Sequence, residues 1–185
     1  MGYTHYWRQL RDFTDTEWQE LTRLTKLITA DGGGVLDYIT CDVDPTPKDK
    51  RDTDWLDTGC IAFNGVGKDG HETFIITKKK RAKMDYEEQE AYDRQGAFEF
   101  CKTAHKPYDK YVTAVLCALY NIEVKEWPLG DGKIMSISSD GNTEDWTEGL
   151  FHAVRSTRKD EMYCPIRDCL TLSYVDYVDQ EKKTG

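Results

Sequence analysis

Apolar and polar positions change period several times along the chain, and each change marks an element. Tyr3 to Arg8 alternates residue by residue, which predicts a short aromatic strand with Tyr3, His5 and Trp7 on one face and Thr4 and Tyr6 on the other. Thr14-Asp15-Thr16-Glu17 has the spacing of a capping box and opens a helix to about Ala30. Trp18, Leu21, Leu24, Thr25 and Ile28 form its buried stripe, and Asp31-Gly32-Gly33-Gly34 ends it. Residues 35 to 58 hold a short strand, Val35 to Ile39, and then a charged loop with prolines. Gly59 to Gly65 and His71 to Thr77 are strand-like runs on either side of Val66-Gly67-Lys68-Asp69-Gly70, whose Asp-Gly pair is a hairpin signal. Residues 78 to 97 are polar and suit a mobile lid or a surface helix.

From Pro107, a residue tolerated in a first helical turn, Tyr111, Val112, Val115, Leu116 and Leu119 repeat with helical spacing to about Asn121. A turn around Leu129-Gly130-Asp131-Gly132, a strand Lys133 to Ser138, a helix from about Thr143 to Arg155 and a late strand around Leu170 to Val178 complete the order. The fold class that follows is α+β: one compact domain over residues 1–179, an antiparallel or mixed sheet packed by about three helices, with residues 180–185 as a polar tail.

Length supports one domain, because 185 residues bury one sizeable core and not two. No apolar run approaches the roughly 18 residues of a membrane span, and the first residues lack the apolar stretch of a signal peptide, so the expected location is cytoplasmic. Six cysteines are dispersed through apolar segments, which predicts reduced thiols. The formal charge of −9 argues against general nucleic-acid binding. Lys78-Lys79-Lys80-Arg81-Ala82-Lys83 is a local exception, either a solvated loop or the rim of a pocket that attracts an anionic small molecule. Negative residues are interleaved with positive ones, which disfavours a DNA mimic.

Candidate chemistry concentrates in Phe100-Cys101-Lys102-Thr103-Ala104-His105-Lys106-Pro107-Tyr108-Asp109, just before the second long helix. A helix N-terminus favours an anion; Lys102 and Lys106 would reinforce it, Thr103 and Tyr108 would hydrogen-bond a phosphate or sugar, and Asp109 suits the dipole. Asn64 ends a strand with an amide able to read a nucleobase edge, against the plain reading of Asn-Gly as a turn. Ser139 and Asp140 have the same duality. Tyr3, His5 and Trp7 are candidate aromatic walls for a base, among 5 Trp, 11 Tyr and 6 Phe. Gly32 to Gly34 lacks the ending of a phosphate-binding P-loop. A Cys101–His105 nucleophile and base, or an acid–base phosphodiesterase built on His5, His105 and Asp140, rests on no motif. The four histidines are far apart and no Cys-x-x-Cys occurs, so neither a metal site nor a cofactor is expected.

Two runs, Gly2-Tyr3-Thr4-His5-Tyr6-Trp7 and Phe100-Cys101-Lys102-Thr103 with Lys106-Pro107-Tyr108-Asp109, resemble a family of small uncharacterised proteins of tailed phages and bacteria. Ile61 to Gly65, Glu72-Thr73-Phe74 and Ser139-Asp140-Gly141 followed by Trp146 are similar to further parts of that pattern, so the resemblance spans residues 2 to about 151. It implies a phage context, hence the host cytoplasm, and no mechanism. The expected function is binding and sequestration of a small anionic nucleotide, such as a bacterial immune signal of the Thoeris (cyclic ADP-ribose variant) or CBASS (cyclic oligonucleotide) type, with no catalytic residue assigned. The alternatives are a nucleotide-cleaving hydrolase or phosphodiesterase and an acidic interaction protein that blocks a host enzyme. No membrane partner is expected, and a homo-oligomer is compatible with the chain.

Overall fold

Strand β1 (Thr4–Gln9) is the middle strand of an antiparallel sheet, between β5 (Ala97–Lys102) and β6 (Met135–Ser139). Its register sets His5 opposite Cys101 and Ser139, and Trp7 opposite Glu99 and Ile137. The alternation read from the sequence therefore has a direction: His5, Trp7 and Gln9 are buried, while Tyr6 and Arg8 are only half-buried. A second antiparallel sheet, of order β2-β3-β4, contains β2 (Leu36–Tyr38), β3 (Cys60–Gly65) and β4 (Phe74–Thr77). Trp7 of the first sheet packs on Phe74 of the second at 5.3 Å between ring centres, and Gln9 Nε2 donates to the Thr77 carbonyl at 3.1 Å, so both sheets close on one core. The computed structural model describes residues 2–39, 55–85, 87–126, 132–166 and 171–172.

The helical layer is made by α1 (Asp15–Thr29), α4 (Asp109–Glu126) and α5 (Thr147–Thr157), with two short helices, α2 (Trp55–Thr58) and α3 (Gln89–Gln95), at the periphery. The capping box at Thr14 and Glu17 forms, satisfying main-chain donors that an uncapped start would leave open. Trp18, Leu21, Leu24 and Ile28 are buried as the stripe predicts. Each such side chain withdrawn from water contributes about 1.5–3 kcal/mol. α5 approaches α4 closely at Gly149, where an added Cβ would lie 2.0 Å from Thr113 Oγ1. It is tied to α1 by His152, whose Nε2 donates to the Ile28 carbonyl at 2.7 Å; burial lowers the pKa of this imidazole and keeps it neutral. β7 (Met162–Tyr163) pairs with β8 (Thr171–Leu172) in a small third sheet.

The fold is α+β, and several elements depart from the sequence pattern, among them α2, within the stretch read as a charged loop, and β7, which was not predicted. Residues 97–102, not predicted as a strand, form strand β5, because Ala97 and Cys101 alternate inward against Phe98, Phe100 and Lys102 outward. The second long helix starts at Asp109, two residues beyond Pro107, and α5 starts at Thr147 after a capping turn in which Asn142 Oδ1 accepts from Glu144 N at 2.7 Å. Cys60 is disulfide-bonded, contrary to the expectation of reduced thiols throughout, whereas Cys101 and Cys117 are free thiols, buried like Cys164. The charged loop from residue 40 to 54, the turn at 129–131, most of the late strand and the polar tail lie outside the described residues. No helix among the described residues is long and apolar enough to cross a membrane.

Glu123 generates a prediction about pH. It is 7 % exposed on α4, and burial pushes its carboxyl up to about 7, even though the main-chain N–H groups of Met135 and Ile134 donate to it. A carboxyl whose folded value exceeds its unfolded one destabilises the native state when ionised, so its contribution is fully present below the unfolded value and is lost as pH rises through the folded one. From a shift of this size the loss is about 3 kcal/mol. Glu123→Gln should therefore gain stability relative to the parent, by up to about 3 kcal/mol, as pH rises from about 4.5 to about 8 in urea titrations. A parent-to-variant difference constant across that window would contradict this.

Candidate functional site

A histidine buried in the middle strand of a sheet needs a partner for each ring nitrogen, because an unsatisfied polar atom in the interior costs roughly 1–3 kcal/mol. His5 is fully buried and has both. Nε2 lies 2.8 Å from Asp109 Oδ1, at the first residue of α4, and Nδ1 lies 3.0 Å from Ser139 Oγ, at the last residue of β6. A carboxylate only accepts, which places a ring proton on Nε2; the Ser139 hydroxyl, beside Nδ1, also lies 3.4 Å from the Thr4 carbonyl. Thr103, also fully buried, donates to the same Asp109 oxygen, and Ser139 Oγ takes the N–H of Gly141 at 3.0 Å. Trp146 presents its ring to His5 edge to face at 5.1 Å. The segments Gly2–Trp7, Phe100–Asp109 and Ser139–Trp146 thus converge on one imidazole.

The chain passes from β5 into α4 through a tight reversal. Ala104 and His105 both take positive φ, +51° and +56°, a region that costs an L-residue roughly 1–2 kcal/mol. The turn is held by Ala104 N donating to the Tyr3 carbonyl and Lys106 N to the Thr103 carbonyl. One result is that the His105 ring stacks on Tyr3 at 3.7 Å between centroids. Burial, followed by the Asp109 and Asp145 carboxylates, pushes the Tyr3 phenol well above its ordinary value; it remains a neutral hydroxyl. Gly141 gives it room, since a Cβ there would fall 2.5 Å from the Tyr3 oxygen.

Beside this turn is an open cleft of about 440 Å³ between the start of α4 and the start of α5. Lys106 and Lys110, four residues apart, provide cations on one wall, with His105 at the turn between them and the sheet. Asp109, Glu144, Asp145 and Glu148 provide carboxylates, and Val35 and Pro107 apolar surface. Lys106 Nζ also donates to the Lys68 carbonyl at 3.0 Å, and the Lys110 ammonium lies 4.9 Å from the Tyr111 ring centre.

Of the residues singled out from the sequence, Lys106 and Asp109 line this cleft. Tyr3, His5, Thr103 and Ser139 stand behind it: Tyr3 supports His105, His5 and Thr103 fix Asp109, and Ser139 holds the other side of His5. Trp7 and Tyr108 belong to the hydrophobic core, with the Tyr108 hydroxyl donating to the Glu72 carbonyl at 2.8 Å. Asn64 closes the hairpin loop: its amide donates to the His71 carbonyl and Thr73 Oγ1 and accepts from Gly65 N and His71 N. Lys102 is held through its backbone by the Glu72 carboxylate at 2.6 Å, and the exposed Asp140 accepts from Tyr6 OH at 3.2 Å. Cys101 donates to the Glu72 carbonyl at 3.4 Å, and burial pushes its thiol up to about 12, which removes it as a nucleophile at neutral pH. Lys110, Glu144, Asp145 and Glu148 were not anticipated. The signal for them was position: Lys110 and Glu148 are the second residues of α4 and α5, and Lys106 and Glu144 each lie three residues before those helices begin. Among the described residues no group of three or more His, Cys, Asp or Glu side chains is arranged to hold a metal ion.

Removing the shared acceptor tests the network. Asp109→Ala leaves the His5 Nε2–H and the Thr103 hydroxyl buried and unpaired, and should cost about 2–5 kcal/mol of unfolding free energy. Asp140→Ala, at an exposed position, should cost less than about 0.5 kcal/mol. Equal losses for the two variants in urea would show that the network does not hold the fold. Comparison with protein-family models, with curated proteins and with solved structures gives no match for this chain.

Proposed function

We propose that the protein binds a small anionic nucleotide, intact, in the cleft between the starts of α4 and α5. The observation that carries this reading is the composition of one concavity: two lysines at a helix N-terminus, a histidine held flat against a tyrosine, and carboxylates on the facing wall. Lysines and the positive end of a helix dipole suit phosphate. Carboxylates accept from ribose hydroxyls and from the N–H groups of a base, and an imidazole face suits stacking. The volume falls within the roughly 300–1,000 Å³ of small-ligand sites. In the phage setting that the sequence resemblance implies, the ligand is a nucleotide signal of bacterial defence, and quenching is stoichiometric capture.

Ser139, His5 and Asp109 form a hydroxyl–imidazole–carboxylate chain, which favours hydrolysis as a second reading. Two features weigh against it. Ser139 is not among the residues lining the cleft, and its oxygen accepts the Gly141 N–H, which draws electron density from the would-be nucleophile.

Calorimetric titration with cyclic ADP-ribose and with cyclic dinucleotides distinguishes the readings. Capture predicts one site per chain, intact nucleotide on heat release, affinity lowered about tenfold or more by Lys110→Ala through loss of a charge-assisted contact, and no effect of Ser139→Ala beyond a few-fold. Product formation over many turnovers, abolished by Ser139→Ala, would establish the hydrolase instead. Absence of heat with every nucleotide would refute both.

A further inference from the structure

The other face of the first sheet carries a different arrangement. With His5, Trp7 and Cys101 directed into the core, the alternate positions of the three strands lie on the other face in rows: Phe98–Arg8–Ser136, Phe100–Tyr6–Ser138 and, with Thr4 itself buried and Asp140 just past β6, Lys102–Thr4–Asp140. The rings form a continuous ladder. Tyr6 and Phe98 are near-parallel, 6.2 Å apart with planes at 18°, and Phe98 and Phe100 are 6.0 Å apart. The Arg8 guanidinium lies over Phe98 at 5.0 Å. Phe100 is 49 % exposed, the largest exposure among the large hydrophobic side chains of the described residues, and Ser136 and Ser138 beside it are exposed hydroxyls.

Charge on this face is inverted relative to the chain. The whole sequence has 34 acidic against 25 basic residues, yet these nine positions hold Arg8 and Lys102 against Asp140 alone, and Asp140 is engaged by the Tyr6 hydroxyl. The outer edge of β5 is meanwhile closed to strand addition: the Phe98 carbonyl accepts from Arg81 at 2.7 Å, its N–H points to Glu87, and the Lys102 N–H donates to Glu72. A partner therefore meets the face and not the edge.

We infer that the outward face of the β5-β1-β6 sheet is a stacking platform for two or three unpaired bases of a short single-stranded oligonucleotide. Flat aromatic rings at strand spacing, with hydroxyls between them and a cation at either end, match the faces, edges and phosphates of successive bases. Nine positions on three strands cover only about 300 Å², well below the roughly 800 Å² per partner of a stable protein interface. Face-to-face packing of a second copy would also set an excess of positive charge against itself. The acidic surface elsewhere disfavours duplex, whose binding depends on many phosphate contacts. This platform faces away from the cleft residues' supporting network and stands independently of the nucleotide reading.

The test is fluorescence anisotropy of terminally labelled hexanucleotides, single-stranded DNA and RNA, with a duplex of the same length as control. The platform predicts binding of single strands over duplex, at least fivefold weaker binding by Phe100→Ala, and a shallow salt dependence reduced further by Arg8→Ala. Unaltered thermal unfolding of Phe100→Ala, an exposed site, shows that the loss is not one of folding. A preference for RNA over DNA would extend recognition to the ribose hydroxyl and support the inference. No single-strand binding with protein at about 0.2 mM, the concentration that half-saturates a site worth about 5 kcal/mol, as two or three stacked bases supply at about 2 kcal/mol each, would overturn it. So would equal binding by Phe100→Ala, or a sedimenting dimer that Phe100→Ala dissociates.

Discussion

The burial of His5 is the constraint on which the architecture around the site depends. An imidazole at the centre of a sheet, closed to water, is tolerable only if a carboxylate and a hydroxyl are brought to its two nitrogens, and these come from positions more than a hundred residues away, Asp109 and Ser139. Asp109 sits at the start of α4 and Ser139 at the end of β6, so satisfying one ring fixes where the helix begins relative to the sheet. The reversal at Ala104 and His105, unfavourable in itself, is a consequence: the chain must leave β5 and turn back within six residues for Asp109 to reach His5. That turn presents His105, Lys106 and Lys110 together at the cleft.

The same strand divides two environments. Inward positions of β1 join Phe74 and the helices in the core, and outward positions support an aromatic and cationic surface on an acidic protein. Glycine makes the close approaches possible on the core side, at Gly149 where α5 meets α4 and at Gly141 where the chain passes the Tyr3 hydroxyl. Cleft and open face are therefore both products of the way β1 is packed, although they share no lining residue.

Much of the fold was legible in the sequence. The Thr14–Glu17 box and the helical spacing of Tyr111 to Leu119 each carry a local physical cause that tertiary packing did not override, whereas β3 and β4 pair as a hairpin through a 3-10 turn at Gly67–Asp69, with Gly70 at negative φ, and not through a tight Asp-Gly turn. Strand β5 was hidden because its period-two pattern is short and follows a long polar stretch, and because Lys102 and Thr103 look like loop residues until Glu72 and Asp109 are seen to engage them. Alternation in Tyr3 to Arg8 revealed two faces and could not say which one is covered, since both are rich in aromatics. For the site, Asp109 and Lys106 were visible as chemistry near a helix start, whereas the facing carboxylates come from α5, whose proximity is a product of the fold. Asn64, attractive as a base-reading amide, has its hydrogen-bonding capacity taken up by its own loop.

The central claim, that the cleft captures a nucleotide without converting it, is tested most directly by native mass spectrometry of the protein isolated from cells producing cyclic nucleotide signals. Capture predicts a single adduct per chain whose mass, after release, equals that of the intact cyclic nucleotide. Recovery of linear or cleaved nucleotide, or of protein with no adduct while the signal persists in the same cells, would contradict it.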